Sequence, residues 1–192
     1  MATCGSFNAE FRSICNNAFY FDDTGESIDV DEDSFRMSRQ CSQHLIQSKD
    51  NKFLLFNEKG QFRACDRSIS QQSECKFTVQ MYQDSALEQK KGRAVILYIR
   101  KKDNTILVCC NEKNEICPVK MELPQEINES QHKAVFYLTK LSASNVCTFE
   151  SSLCRGQFLG FEHDEDNPSL KKLALCPRYP DEVDDTSEII MN

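Results

Sequence analysis

Short runs of residues with strand character recur along the whole chain, and helical patterning is almost absent. Most of the runs are rich in Val, Ile, Leu, Phe or Tyr and are bounded by charged or turn-forming residues. They cover residues 44–46, 52–57, 61–65, 77–82, 94–99, 105–110, 115–119, 134–138, 146–149, 157–161, 172–175 and 188–191. About twelve short strands at this spacing predict an all-β domain, as a sandwich or a closed barrel.

Three details of these runs give separate predictions. Pro118 lies inside the run 115–119, and because proline cannot donate to a sheet ladder, we predict an edge or interrupted strand there. Residues 124–129 begin with proline and predict one helical turn. Cys109 and Cys110 are adjacent in a strand, so their side chains point to opposite faces, and we predict that only one of them lies in the core.

Charge divides the chain into two parts. Residues 1–33 contain eight acids and one base, whereas residues 34–192 contain 22 acids and 22 bases, so the first part alone accounts for the net charge of −7. This step predicts an acidic appendage at residues 1–33, followed by a folded domain at residues 34–192. From charge alone, a solvated tail without a role is an equally good interpretation.

The N-terminus and the cysteines bear on the cellular compartment. The first ten residues lack the basic region and the apolar run of a secretory signal peptide. No stretch approaches the roughly 20 apolar residues of a membrane span. We therefore expect synthesis in the cytosol and no membrane insertion. The eleven cysteines are odd in number and irregularly spaced, which favours thiols over a disulfide framework.

Residue patterns for catalysis, metal binding and cofactor binding are missing from the sequence. His44, His132 and His163 are scattered, no Cys-x-x-Cys occurs, and neither a nucleophile elbow nor a phosphate-binding glycine loop is present. A Cys–His pair that meets only in the fold stays open. We expect no enzyme activity, no metal and no cofactor. The zero net charge of residues 34–192 argues against nucleic acid as a partner.

Residues 149–161, Phe-Glu-Ser-Ser-Leu-Cys-Arg-Gly-Gln-Phe-Leu-Gly-Phe, predict a hairpin with its turn at Gly156. This segment resembles the signature hairpin of the interleukin-1 cytokine family, and its interleukin-18 members most. The strand end Met81-Tyr82-Gln83-Asp84-Ser85, followed by a Gly-x-Ala-Val strand, resembles the same family. The resemblance implies a secreted signalling ligand, a monomer, with a β-trefoil fold of three four-stranded units around a pseudo-threefold axis.

The resemblance also implies a processed precursor. Val-Asp-Glu-Asp at residues 30–33 stands at the charge step, and we predict that an inflammatory caspase cleaves between Asp33 and Ser34, which removes an acidic propeptide. Caspases require aspartate because a basic pocket pairs with its carboxylate. Asp31 is a competing site. A second predicted site lies between Asp184 and Asp185, where a cut would remove the last strand; an uncleaved acidic loop is the alternative.

Receptor contacts are nominated by their position in the family pattern, on the first strands and the rim of the barrel. They are Asp50, Lys52, Arg63, Asp66, Gln83 and Asp84. Gln83 stands where the family motif often has a lysine, so that contact is absent or differently charged here. The implied partners are a primary and an accessory interleukin-18-type receptor chain, each with immunoglobulin-like domains, and a soluble decoy binding protein.

Two rival functions stay open at this point. Another interleukin-1 family ligand would use different receptors. A β-trefoil module that binds glycans or inhibits proteases would need no activation at an aspartate. The basic residues at 90–93 and 100–102 are compatible with a sulfated glycan as well as with ordinary solvated loops.

Overall fold

The computed structural model describes residues 9–15, 18–23, 34–66, 75–85, 92–141, 145–179 and 185–192. The chain divides into two compact units, Met1–Glu32 and Asp33–Asn192. In the first unit, strands β1 (Ala9–Cys15) and β2 (Ala18–Asp23) form an antiparallel hairpin that the sequence did not predict. The interpretation of residues 1–33 as a propeptide stays a prediction.

Thirteen strands follow in the described residues of the second unit, and each of them pairs antiparallel with its neighbours in the sheet. They are β3 (Phe35–Gln47), β4 (Phe53–Phe56), β5 (Phe62–Cys65), β6 (Lys76–Asp84), β7 (Arg93–Lys101), β8 (Asn104–Cys110), β9 (Ile116–Lys120), β10 (Glu126–Ile127), β11 (Val135–Lys140), β12 (Val146–Ser151), β13 (Gln157–His163), β14 (Lys171–Pro177) and β15 (Ile189–Met191). A 3-10 helix, Asp185–Ser187, precedes the last strand.

The hydrogen-bonded strands form a closed ring. β3 pairs with β6, β6 with β7, β7 with β11, β11 with β12, β12 with β15, and β15 again with β3. The hairpins β4–β5, β8–β9 and β13–β14 stand outside this ring. Each hairpin belongs to a group of four strands that contributes two strands to the barrel. This is a β-trefoil, so the predicted all-β class and fold are confirmed.

Apolar side chains from all six barrel strands pack into one core. Its aromatic members are all phenylalanines, and the Phe62 and Phe77 rings lie 6.0 Å apart. The buried members of this core are Ile46, Leu54, Phe62, Ala64, Phe77, Val79, Val95, Leu97, Ile99, Ile106, Val108, Cys110, Phe136, Leu138, Cys147, Phe149, Leu159, Phe161, Leu173, Leu175, Ile189 and Met191.

A second apolar cluster lies on the opposite face of β7, β8 and β11. It contains Phe35, Ile96, Leu107, Cys109 and Tyr137, and the segment between β9 and β10 packs against it. β7 and β8 are therefore covered on both faces, which explains why their sequences are nearly continuous apolar runs instead of alternating ones.

The second cluster overturns the prediction for the adjacent cysteines. Cys110 is buried in the barrel core, and Cys109 is buried in the second cluster. The two side chains do point to opposite faces of β8, as the strand geometry requires. The prediction that only one lies in a core was wrong because it assumed that one face of this strand meets solvent.

The two other strand details had different outcomes. β9 ends the path of paired strands, and its Pro118 lies opposite Val108, so the predicted edge strand is confirmed. The predicted helical turn at residues 124–129 was wrong. Glu126–Ile127 forms the short strand β10 against the start of β3, and the Tyr82 hydroxyl donates a 2.6 Å hydrogen bond to the Pro124 carbonyl. These contacts replace the local hydrogen bonds of a turn.

The hairpin between β12 and β13 gives each residue of Phe-Glu-Ser-Ser a structural role. Phe149 is buried in the barrel core, and the Glu150 carboxylate accepts a 3.0 Å hydrogen bond from the Gly156 amide. Gly156 has φ of 78°, which only glycine adopts without strain. Ser151 and Ser152 bond through their hydroxyls to the backbone of the turn and of the segment before β11. The motif therefore specifies the hairpin.

Candidate functional site

The six nominated contact residues fall into two separate groups. Asp50, Lys52, Arg63 and Asp66 lie around β4 and β5, beyond the C-terminal end of β3. Gln83 and Asp84 pair instead with the first residues of β3. Since β3 has 13 residues, its two ends are up to about 40 Å apart along the strand. The structure thus brings four of the six together.

Ion pairs tie the first group to β14 and to the loop before it, and we call this region the ion-pair surface. Asp50 Oδ1 lies 2.8 Å from Lys171 Nζ, and Arg63 Nε lies 2.5 Å from Asp164 Oδ2. The register between β5 and β14 aligns these elements, with Lys171 opposite Ala64. The sequence did not point to Asp164 or Lys171, because their partners Arg63 and Asp50 lie about a hundred residues earlier in the chain.

Lys52 and Asp66 form the third ion pair of this surface, at 3.3 Å between Nζ and Oδ2. Lys52 also donates a 3.1 Å hydrogen bond to the Ser169 carbonyl, in the loop that precedes β14. A groove of about 580 Å³ adjoins the surface and is lined in part by Arg63 and Asp164. The ion-pair surface is therefore assembled from three segments that are distant in the sequence.

Two of the three acids of this surface are more exposed than its bases, whereas the third, Asp164, is only 8% exposed. The side chains of Lys52, Arg63 and Lys171 are only 17–19% exposed, whereas those of Asp50 and Asp66 are 44% and 85% exposed. The cations are thus largely engaged in contacts within the protein. An approaching partner meets carboxylates first, so the surface is suited to a basic patch on that partner.

Two carboxyls of the ion-pair surface have lowered pKa values. Burial opposes ionisation of both groups, but hydrogen bonds and charge outweigh it. For Asp50, the pKa falls because Lys171 and Ser48 donate to its carboxylate. For Asp164, the backbone amide of Asp166 and the Arg63 guanidinium lower the pKa. Both aspartates are therefore held ionised in the folded state.

Replacing Asp164 by asparagine is expected to lower Tm at neutral pH. It should also make Tm fall less steeply as the pH is lowered into the acid range. Because the folded pKa lies below the ordinary value of 3.8, the ionised carboxyl stabilises the fold above that pH. This contribution is lost as the pH falls through the folded pKa. Thermal unfolding at several pH values between about 7 and 3 measures the effect. Asp66→Asn is the matched control, since an exposed ion pair contributes little; an equal response of the two variants would contradict the prediction.

The second group lines a groove of about 780 Å³ between β3, β6 and the start of β7, which we call the β3–β6 groove. At its edge β3 bulges between Met37 and Cys41. The buried Gln80 amide holds the bulge by donating to the carbonyls of Ser38 and Gln40 at 2.7 and 3.1 Å. Asp84 Oδ2 accepts a hydrogen bond from the Tyr137 hydroxyl at 3.3 Å.

Of the predicted cleavage sites, Asp31, Asp33 and Asp184 lie outside the described residues. Ser34 is described and is held at the start of β3: its amide donates to Ser85 Oγ at 2.8 Å, and the Ser85 amide donates to its carbonyl at 3.0 Å. For Asp185 only the backbone is described, at the beginning of the 3-10 helix.

Two further findings on the described residues concern metal binding and membrane-spanning helices. No cluster of three or more His, Cys, Asp or Glu side chains there is arranged to hold a metal ion. Within the same ranges, no helix has the length and the apolar character that crossing a membrane requires.

Comparison with known proteins gives consistent results. A family model described as Interleukin-1 / 18 matches residues 67–187. Interleukin-18 of Mus musculus is 27% identical over 170 residues, 85% of this chain and 82% of the mouse protein. Interleukin-18 of Gallus gallus is 29% identical over 131 residues, 65% of this chain and 64% of the chicken protein.

The fold has close counterparts among solved structures. A mutant of Gallus interleukin-1 beta superposes with a TM-score of 0.62 at 16% identity, covering 82% of this chain and 99% of that one. The chicken cytokine interleukin 1 beta itself gives a TM-score of 0.60 at 16% identity, with coverage of 82% and 98%. At such identities the likeness shows the shared β-trefoil and nothing finer.

Proposed function

The chain belongs to the interleukin-1/18 family, and we propose that it acts as a pro-inflammatory cytokine of the interleukin-18 type. Its partners are a primary and an accessory receptor chain with immunoglobulin-like domains, which the ligand bridges so that their cytoplasmic signalling domains meet. The observation that carries the proposal is the similarity to mouse interleukin-18, which extends over 85% of this chain. A soluble decoy protein would compete for the same surfaces.

The separation of the nominated contacts supports a bridging role. A ligand that joins two receptor chains needs two surfaces that do not overlap. The ion-pair surface lies beyond the C-terminal end of β3 and the β3–β6 groove lies along its first half, so the two surfaces meet this requirement. In the first, Asp50 and Asp66 would contact a receptor, Lys171 and Lys52 would position these two carboxylates, and Arg63 would hold the loop before β14 through Asp164. In the second, the uncharged Gln83 would make a hydrogen bond in place of an ion pair.

We further propose that the protein is made as a cytoplasmic precursor, is cleaved after Asp33 by an inflammatory caspase, and is then secreted. Two observations support this site. The charge step falls at residue 33, and the boundary between the two compact units falls between Glu32 and Asp33. Cleavage there would leave Ser34 as the first residue, still beside Ser85 at the start of β3. Asp31 stays the competing site.

Cleavage after Asp184 would inactivate the protein, whereas cleavage after Asp33 would activate it. β15 pairs with both β12 and β3 and so completes the ring of barrel strands. Glu188 precedes β15, and its Oε2 atom lies 2.6 Å from Lys49 Nζ. A cut after Asp184 would leave β15 attached to the domain by noncovalent contacts alone, and we expect its loss to inactivate the domain.

Replacing Asp66 by lysine in the Asp33-cut protein is expected to weaken binding to the primary interleukin-18-type receptor ectodomain at least about thirtyfold. The factor corresponds to a central contact of about 2 kcal/mol or more. Surface plasmon resonance with immobilised ectodomain measures Kd. Asp103→Lys makes the same change of charge at the exposed turn between β7 and β8 and is expected to leave Kd unchanged.

Different outcomes of this experiment separate the rival functions. If the unmodified cut protein fails to bind interleukin-18-type ectodomains, the receptor assignment is wrong. If it is instead retained on immobilised heparin or inhibits a protease, the corresponding β-trefoil module gains support. Equal Kd values for the Asp66 and Asp103 variants would leave the receptor assignment standing but remove the ion-pair surface from it.

A further inference from the structure

Two cysteines face each other across the β8–β9 hairpin. Cys109 and Cys117 are directly opposite in the antiparallel register. Opposite residues of an antiparallel pair share one face of the sheet, and both thiols pack in the second apolar cluster outside the barrel. Cys109 is buried there, while Cys117 is partly exposed. A thiol open to solvent is thus next to one that is not.

The spacing of this pair is compatible with a disulfide. The Asn111 amide bonds the Glu115 carbonyl at 3.0 Å, and the Met121 amide bonds the Thr105 carbonyl at 3.2 Å. Because hydrogen-bonded pairs alternate along an antiparallel ladder, the pair of Cys109 with Cys117 is also a hydrogen-bonded one. Its Cα atoms are then about 5.5 Å apart, within the range of about 4.4–6.8 Å found across disulfides.

Closing the bond requires a small movement. Opposite Cβ atoms in a sheet are about 4.5–5.5 Å apart, with hydrogen-bonded pairs at the wider end, whereas a disulfide needs about 3.5–4.5 Å, so β9 would approach β8 by roughly 1–2 Å. β9 ends the path of paired strands, and among the described residues β8 is its one hydrogen-bonded neighbour in the sheet. This strand is therefore the one that yields. A disulfide formed with this strain is more easily reduced than an unstrained one.

We propose that Cys109 and Cys117 form a reversible disulfide when the chain passes from a reducing to an oxidising solution. The Cys117 thiolate attacks a sulfur of glutathione disulfide, giving a mixed disulfide and releasing one glutathione. Cys109 then loses its proton and attacks the Cys117 sulfur, and a second glutathione leaves. Overall, two protein thiols are oxidised to one disulfide and one glutathione disulfide is reduced to two glutathiones.

The order of the two steps follows from the surroundings of the thiols. Burial, together with the neighbouring Cys117, raises the pKa of Cys109 to about 12, so Cys109 is a poor first nucleophile. Once Cys117 carries a glutathionyl group, the attack by Cys109 takes place within one molecule. Proximity then compensates for the small thiolate fraction.

A rival pair lies on the other face of β8. Cys110 lies 3.1 Å from Ser151 Oγ and donates to the Lys133 carbonyl at 3.4 Å. Cys154 donates to the Asn111 carbonyl at 3.5 Å. A disulfide between Cys110 and Cys154 would break these sulfur hydrogen bonds at the barrel core, a loss that a bond between Cys109 and Cys117 does not incur. The pair of Cys109 and Cys117 is therefore expected to oxidise first.

The test is redox titration of the folded full-length chain in glutathione buffers, followed by trapping of thiols with an alkylating agent, tryptic digestion and mass spectrometry. Trypsin separates residues 103–113, with Cys109 and Cys110, from residues 114–120, with Cys117. We expect these two peptides to become linked as the fraction of glutathione disulfide rises. Fragmentation between the adjacent cysteines should place the link at Cys109, and excess glutathione should reverse it.

Matched variants sharpen the test. Cys117→Ser is expected to abolish the linked peptide, whereas Cys154→Ser, the same change at another partly buried thiol, should leave it intact. Three results would overturn the proposal: a first link between Cys110 and Cys154, a mixed disulfide at Cys117 that never resolves, or thiols that stay alkylatable in pure glutathione disulfide. None of these bears on receptor binding by the reduced chain, so the proposed function would stand or fail separately.

Discussion

Replacing Phe149 by alanine is expected to lower the free energy of unfolding by about 3–5 kcal/mol. The ring is fully buried in the barrel core, on a central barrel strand, with Phe149 opposite Leu138. Its removal costs the transfer of the ring from water and leaves a cavity that neighbouring strands of a closed barrel fill poorly. Since domains of this size are stable by about 5–15 kcal/mol, the variant should be close to unfolding at 37 °C. Urea denaturation measures the difference.

Tyr179→Ala is the matched control for this substitution. It also removes an aromatic ring, but one that is 60% exposed, so the free energy of unfolding should change by no more than about 0.5 kcal/mol. A loss of only about 1 kcal/mol for Phe149→Ala would mean that the barrel closes around the vacant space, and the packing described above would be wrong.

The role of Phe149 explains why the family was visible in the sequence although the contacts were not. The Phe-Glu-Ser-Ser motif specifies a buried ring and a set of hydrogen bonds to backbone atoms. Gly160 is required by the same hairpin, because a Cβ atom at this position would lie 2.7 Å from the Thr186 carbonyl oxygen. These residues fix the hairpin itself. Receptor contacts need only be exposed and complementary, so they leave no comparable local pattern.

Strand positions were predictable where an apolar pattern decides them. β4 to β8 and β11 to β15 all lie at predicted runs, because each of them places apolar side chains in a core. The first half of β3 was not predicted. Its residues are mostly exposed. The strand is held by its pairing with β6 and by hydrogen bonds from the Gln80 amide, and burial contributes little. The prediction for the β10 segment was wrong for a similar reason, because the contacts that hold this segment come from strands distant in the sequence.

Closure of the barrel and assembly of the ion-pair surface depend on pairings that no local pattern encodes. Ile190 lies opposite both Gln47 and Val146, which are far apart in the chain. Asp50 is 121 residues from Lys171, and both have many other charged residues nearer in sequence. The family resemblance supplied the trefoil, whereas the exposed carboxylates of the ion-pair surface emerged only from the structure.

Replacing Asp33 by alanine is expected to slow cleavage of the precursor by an inflammatory caspase at least about thirtyfold. The carboxylate pairs with a basic pocket in the protease, and truncating one partner of such a pair costs about 2–5 kcal/mol. Incubation of full-length protein with the caspase, followed by N-terminal sequencing of the product, measures both the rate and the position. Asp31→Ala removes the neighbouring carboxylate and should leave the rate and the Ser34 terminus unchanged. A reversed result would place the cut after Asp31.

The same variant tests whether cleavage is what activates the ligand. If the acidic segment keeps the precursor inactive, the uncut Asp33→Ala chain should give little signal in cells carrying both receptor chains, while a chain beginning at Ser34 should give full signal. The Ser34 chain needs no protease, so its activity separates a failure of processing from a failure of binding. Because Ser34 is anchored to Ser85 and its side chain is part-buried at the start of β3, trimming should leave the barrel intact. Equal signalling by the uncut and the trimmed chains would show that residues 1–33 do not inhibit.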